Sequence, residues 1–143
     1  MASLWLARAF DGKKSALSLE GGGWSQKYNL IWDRIFDWKL FPEEFYEKEC
    51  ESYLSHLNEF GLPLDSRADY TKSDWTVWVA SLSDDKEYFS ALISPIAEYL
   101  RAARTPVPFG DFYDTVTGTA LHFWARSVQG GVFMPLLKKA WKK

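Results

Sequence analysis

Gly61-Leu-Pro-Leu-Asp-Ser-Arg-Ala-Asp-Tyr-Thr-Lys-Ser-Asp-Trp75 leads directly into Thr-Val-Trp-Val-Ala-Ser-Leu82. The first part is a polar loop with Asp65, Asp69, Asp74, Arg67, Lys72, Tyr70 and Trp75. The second has Trp75, Trp78, Val79 and Leu82 at helical spacing, so a helix is expected from about Ser73 to Leu82. A plain connection does not need so many charged and ring side chains. The loop therefore reads as the rim of a polar pocket placed between two helices that fold back on each other.

The flanking segments repeat this pattern. Upstream, a helix over about 43–58 places Tyr46, Cys50, Tyr53, Leu54 and Leu57 on one side. Pro42 suits its first position, Glu43 and Glu44 suit the positive end of its dipole, and Gly61 lies just past its end. Before it, Tyr28, Ile31, Trp32, Ile35 and Phe36 recur at helical spacing behind Ser25 as N-cap, and Leu40-Phe-Pro42 closes that helix. Downstream, Ser83, Asp84 and Asp85 start a helix over about 84–102 with Phe89, Leu92, Ile93, Ile96 and Leu100, and Pro95 as a kink.

Thr105-Pro-Val-Pro-Phe-Gly110 breaks the pattern, and Asp111–Thr119 reads as a tight turn with Gly118 at positive φ. Ala120–Val128 fits a helix and an extended segment equally. Gly130-Gly131 precedes a last helix with Phe133, Leu136, Leu137, Ala140 and Trp141 on one side. Residues 1–23 are weakly patterned, end in Gly21-Gly-Gly23, and offer Leu4, Leu6, Leu17 and Leu19 for short extended pieces. The expectation is an all-α array of antiparallel helical hairpins over 24–143, with an irregular or β-hairpin loop near 106–123, behind a weakly structured 1–23.

Composition narrows the function classes. A chain of 143 residues is long enough to bury a core as one domain. A net charge of −2 supplies no basic field for nucleic acid. Lys138, Lys139, Lys142 and Lys143 read as a solvated helix end that complements the dipole. Aromatic residues reach 17 %, with eight tryptophans; most of these rings read as core, and a surplus of Trp and Tyr also suits carbohydrate or amide-ligand clefts and protein interfaces. Cys50 stands alone, so no intrachain disulfide forms, and its helical setting predicts a buried thiol. His56 and His122 lack partners at ligand spacing, so no metal or cofactor is expected. No run reaches transmembrane length, and the charged start is too short for a secretory signal.

Several constellations could carry chemistry. The acids of the 61–75 loop could divide acid and base work if their surroundings separate their proton affinities. Equally, Asp65 could pair locally with Arg67, and Asp74 could only occupy a helix N-terminus. Asp114, followed by Thr115, Thr117 and Gly118, reads as a turn former, and Asp111 falls in the same stretch. Arg126-Ser-Val-Gln-Gly-Gly131 allows close backbone approach, without the spacing of a phosphate-binding motif. Ser66, Ser73 and Ser127 lack a nucleophile elbow.

Taken in order, Gly23-Trp-Ser-Gln-Lys-Tyr-Asn-Leu-Ile-Trp-Asp-Arg34, Leu40-Phe-Pro42, Gly61-Leu-Pro-Leu-Asp-Ser-Arg67, Tyr70-Thr-Lys-Ser-Asp-Trp75, Phe112-Tyr-Asp-Thr115 and Ala125-Arg-Ser-Val-Gln-Gly-Gly131 resemble the C-terminal part of the fungal glutaminase A family. The resemblance covers about residues 23–137. It implies about half of a six-hairpin (α/α) toroid, hydrolysis of glutamine to glutamate and ammonia, and a secreted or cell-associated protein. On its motifs, Asp65 and Asp74 are the candidate catalytic residues. Asp33, Arg67, Tyr70, Trp75 and Arg126 are the candidate ligand-binding residues.

Half a toroid leaves its pocket open and its inner face uncovered, and catalysis needs groups held within fractions of an ångström. The leading expectation is therefore a protein that is non-catalytic alone and binds a protein or cell-surface partner, as an immunomodulatory or effector-type protein would. The uncovered inner helical face suits a homodimer. Neither nucleic acid nor membrane insertion is expected. The alternative is an amide hydrolase, active as a dimer or within a longer chain, with a carboxylate-activated water and Arg67 or Arg126 on the substrate carboxylate. A sugar-binding module using exposed rings is a third reading.

Overall fold

The computed structural model describes residues 1–103 and 109–141. Within them six α-helices run in order: α1 (Ala2–Ala9), α2 (Ile31–Phe36), α3 (Glu43–Leu54), α4 (Ser73–Ala80), α5 (Lys86–Ala102) and α6 (Met134–Trp141). Two short strands, β1 (Tyr70–Lys72) and β2 (Phe112–Asp114), pair antiparallel, with Tyr70 opposite Asp114, Thr71 opposite Tyr113 and Lys72 opposite Phe112. The helices are arranged as hairpins, the architecture of a partial (α/α) toroid, and α4 packs against α5, α6 and the one-turn 3-10 helix Tyr28–Leu30.

The long helices follow their sequence signals. Pro42, extended at φ −68° and ψ 155°, precedes α3 as its N-cap rather than its first residue, and Glu43 and Glu44 fill the first turn. Phe45, Tyr46, Glu49, Cys50 and Tyr53 form the buried stripe, and burial pushes the Cys50 thiol up to about 11. The helix ends at Leu54, short of the expected 58, because Ser55 Oγ turns back to donate to Ser52 O at 2.7 Å. α5 begins behind Asp85, whose carboxylate accepts from Glu87 N at 2.8 Å. Its buried stripe is Tyr88, Leu92, Ile96 and Tyr99, while Leu100 lies outside. Pro95 is accommodated within it.

Other expectations are corrected. Residues 2–9 are helical rather than extended, because Ala2–Ala9 contains no β-branched residue or glycine and Trp5 finds Phe41 and Phe45 at 5.7 and 5.9 Å, edge to face. Ser25 is not an N-cap. It bridges Asp65 as extended backbone, Gln26 N donates to Leu64 O at 2.8 Å, and helical structure starts only at Tyr28. Pairing with a segment far along the chain has overridden the local helical period.

Ala120–Val128 forms neither regular helix nor strand. Ala120 bridges Tyr113, Trp124 bridges Gly110, and a 3-10 segment over Ser127–Phe133 leads into α6. α6 itself is turned away from the expected orientation. Phe133 and Leu136 are 62% and 63% exposed and Trp141 is 54% exposed, whereas Met134 and Lys138 are buried. Lys138 Nζ donates to Ser81 O at 2.7 Å and pairs with Asp84 at 2.9 Å, so an ammonium satisfies carbonyls beyond the end of α4.

The turn after β2 matches its prediction. Gly118 sits at φ 65°, and Asp114 Oδ1 accepts from Val116 N and Thr117 N at 2.9 and 2.7 Å. The break at Thr105–Pro108 and the Lys142–Lys143 end of the basic tail lie outside the described residues.

Candidate functional site

Pairing of β1 with β2 delivers Asp111 to the start of α4, where Ser73 N donates to Asp111 O at 2.9 Å. Asp111 is fully buried. Arg126, on the irregular segment that follows β2, clasps it with two N–H donors: Nε reaches Oδ1 at 3.2 Å, and Nη2 meets Oδ2. The guanidinium also lies over the Phe123 ring, 4.4 Å from its centre.

Beside this pair, Asp74 occupies the first turn of α4 and is 5% exposed. Burial raises its proton affinity above that of an ordinary carboxylate, and the negative charge of Asp111 adds to the effect. Its Oδ1 is enclosed without a hydrogen-bond partner, as is the neighbouring Ser73 Oγ. Gly131 closes the niche. A β-carbon there would meet Asp74 Cβ at 2.8 Å, and Trp78 Nε1 donates to Gly131 O at 3.0 Å.

Ring contacts link the neighbouring elements. Trp75 stacks on Tyr28 at 3.9 Å and carries Lys72 Nζ 4.4 Å above its ring. Tyr70 meets Phe112 edge-on at 5.0 Å, and Phe112 meets Phe123 at 5.6 Å, which leads back to Arg126. Through Asp111 the structure brings Arg126 into the neighbourhood of Asp74, whereas the Trp75 ring meets Tyr28 and Lys72 and the Tyr70 ring meets Phe112. Arg126 meets a buried carboxylate of its own chain there.

The other candidates lie in different surroundings. Asp65 is held locally by Arg67, through Nε and Nη2 at 2.9 and 2.7 Å, and this contact holds its carboxyl below the usual range. Arg67 itself is 68% exposed. The pair borders an open hollow of about 430 Å³ with the stacked rings of Trp24 and His56, 4.1 Å apart. Asp33 is buried on α2, where it accepts from Leu40 N at 3.1 and 3.2 Å and from the Tyr46 hydroxyl. It lines an open groove of about 1190 Å³ together with the Arg34–Glu43 pair and Lys138. Among the described residues, no group of three or more His, Cys, Asp or Glu is placed to hold a metal ion.

Asp111 is the residue that sequence reasoning missed. Read alone, it belongs to a turn-rich stretch. Only the register of β2 on β1 brings it to α4. The one hint along the chain is an acid immediately ahead of the ring pair Phe112-Tyr113, with an arginine fifteen residues on.

The model of the glutaminase A six helical-hairpin domain matches residues 1–136, and the chain belongs to that family. It is 33% identical to glutaminase A of Aspergillus oryzae over 115 residues, 77% of this chain and 16% of that protein. It is 29% identical to a probable glutaminase of Arthroderma benhamiae, over 91% of this chain and 19% of that protein. The chain therefore spans less than a fifth of the length of these curated relatives. No solved structure matches significantly.

These matches overturn the expectation of a non-catalytic, partner-binding protein. That expectation rested on the missing half of a ring. The family model instead runs across nearly the whole chain, the relatives are named as glutaminases, and the chain itself builds a sheltered acid beside an arginine–carboxylate pair. Among the described residues, no helix is long and apolar enough to cross a membrane.

Proposed function

We propose that this chain is part of a glutaminase-type amide hydrolase domain and contributes Asp74 as an acid–base group. The observation that carries this reading is the buried Asp74 oxygen without a partner, at the N-terminus of a central helix, in a member of the glutaminase A family. Asp74 gives its proton to the amide nitrogen as the C–N bond breaks, and ammonia leaves. Water supplies the hydroxyl that bonds to the acyl carbon, and its remaining proton restores Asp74. Arg126 is partly exposed and has further N–H donors beyond those on Asp111, which suits it to the α-carboxylate of glutamine.

A second copy of the chain would cover the apolar face of α6. The uncovered rings and aliphatic side chains of α6 adjoin those of the 36–40 segment, where Trp141 meets Phe36 edge-on at 5.4 Å and Phe36 stacks on Trp38 at 4.9 Å. Such a surface is suited to an isologous contact.

Ammonia release from L-glutamine by the purified chain tests the activity. Asp74→Asn should lower the rate by about 10²–10⁴-fold. Equal rates in both proteins would remove Asp74 from the chemistry.

A further inference from the structure

Asp74 has to reach an amide nitrogen, yet it is buried and one of its oxygens is enclosed. Gly131 lies on it: a β-carbon there would come within 2.8 Å of Asp74 Cβ and 3.6 Å of Oδ2. Gly131 belongs to the Ser127–Phe133 segment, which packs against α4 as seven residues of 3-10 helix, none of them buried. Such runs seldom exceed three or four residues, because their hydrogen bonds are poorly aligned, and they often mark hinges. In α4 beneath it, Ser73, Asp74, Thr76, Val77, Val79 and Ala80 are all buried.

The segment is fixed at its two ends. Before it, Arg126 clasps Asp111, and after it Met134 is buried in the core cluster. Between these anchors, Trp78 Nε1 donates to Gly131 O at 3.0 Å and Gln129 Nε2 donates to Phe109 O. The Trp78 ring is itself held, edge-on to Trp32 at 5.4 Å and tilted against Tyr28 at 5.9 Å. A well-packed indole thus grips a thin strap by one carbonyl. Closure encloses Ser73 Oγ and Asp74 Oδ1 without a hydrogen-bond partner, a cost that opening to water removes.

We infer that the Ser127–Phe133 segment is a lid over Asp74, latched by the Trp78 indole on Gly131 O, and that it lifts between Arg126 and Met134 to admit the substrate amide. The need for opening rests on the acid–base reading of Asp74. The opening itself is measured with no substrate present.

The test is hydrogen exchange of the intact chain, followed by NMR in low urea. The Trp78 indole N–H and the amides of residues 130–134 should exchange through a local opening whose rate hardly depends on urea, while the amides of Leu92 and Ile96 in α5 should respond steeply. Trp78→Phe keeps a ring and removes the donor. It should speed exchange over 130–134 by about 2–10-fold and raise carbodiimide labelling of Asp74 to match. Gly131→Ala, which wedges a β-carbon against Asp74, should raise the same labelling if Trp78→Phe does not fold. Exchange over 130–134 that follows α5 in urea overturns the lid, as does labelling of Asp74 that neither variant changes.

Ammonia release from glutamine is scored separately. A lid that opens in a chain releasing no ammonia removes the hydrolase reading and leaves the lid. Release that Asp74→Asn abolishes, in a chain whose strap opens only with the whole fold, removes the lid and leaves the hydrolase reading.

Discussion

Gly131 lies so close to Asp74 that a side chain could not be placed between them: an added β-carbon would sit 2.8 Å from Asp74 Cβ and 3.0 Å from Trp78 Nε1. The Ser127–Phe133 segment can therefore seal the acid only with glycine at this position. Gly131→Ala should destabilise the chain by about 1–3 kcal/mol, read by urea unfolding, because the covering segment must move off α4. Gly130→Ala, where a β-carbon meets open space, is the control and should stay near wild type.

The Asp65–Arg67 pair gives a pH dependence of defined sign. Arg67 holds the folded-state affinity of Asp65 for protons below its unfolded value. Its contribution is therefore present above the unfolded pKa of about 4 and is lost as pH falls through the lower folded value. Thermal melts between pH 2 and 6 should show a shallower acid limb in Arg67→Ala than in wild type. Identical limbs would mean that the exposed guanidinium is screened out of the balance.

Glu49 ties the first residues to the hairpins. It is buried on α3, accepts from Ser15 N, and takes the Tyr53 hydroxyl at 3.0 Å. Glu49→Ala leaves a buried backbone N–H without an acceptor and should cost roughly 2–3 kcal/mol. Hydrogen exchange should then quicken at Ser15 and Ala16 before it does so along α5.

A single charge on the uncovered face separates association from folding. Leu136→Glu places a carboxylate on a residue that is largely exposed, so the melting temperature should change little. The mass measured by light scattering should fall from that of a dimer to that of one chain. A wild-type protein already of single-chain mass at high concentration would dispose of the proposed second copy.

The helices legible along the chain were those whose signals are local. α3, α4 and α5 combine a helical period with Pro42, Asp74 or Asp85 at the start, and the observed bounds of each lie within a few residues of those its signals predict. What stayed hidden depends on distant partners. Ser25 looks like a cap until Leu64 and Asp65 claim the adjacent backbone. The apolar side of α6 looks like core until Lys138 is found serving carbonyls past α4. Asp111 and Arg126 are separated along the chain and joined in space, so neither advertised the other. The polar loop stands out for its density of charge, yet its acids lie in different neighbourhoods, Asp65 on Arg67 and Asp74 in the first turn of α4, which spacing alone does not divide.

The side-chain amide of Gln26 reaches Leu62 O and Pro63 O at 3.0 Å each, and Thr71 and Thr76 hydroxyls at 3.3 Å each. One carboxamide therefore fastens the rim loop, β1 and α4 to the chain's first extended stretch. With two hydrogens to share among four acceptors, it acts as a common hub for these segments. The helix that carries Asp74 is in consequence anchored by segments far apart in the chain, through Thr76 to Gln26 and through Trp78 to Gly131.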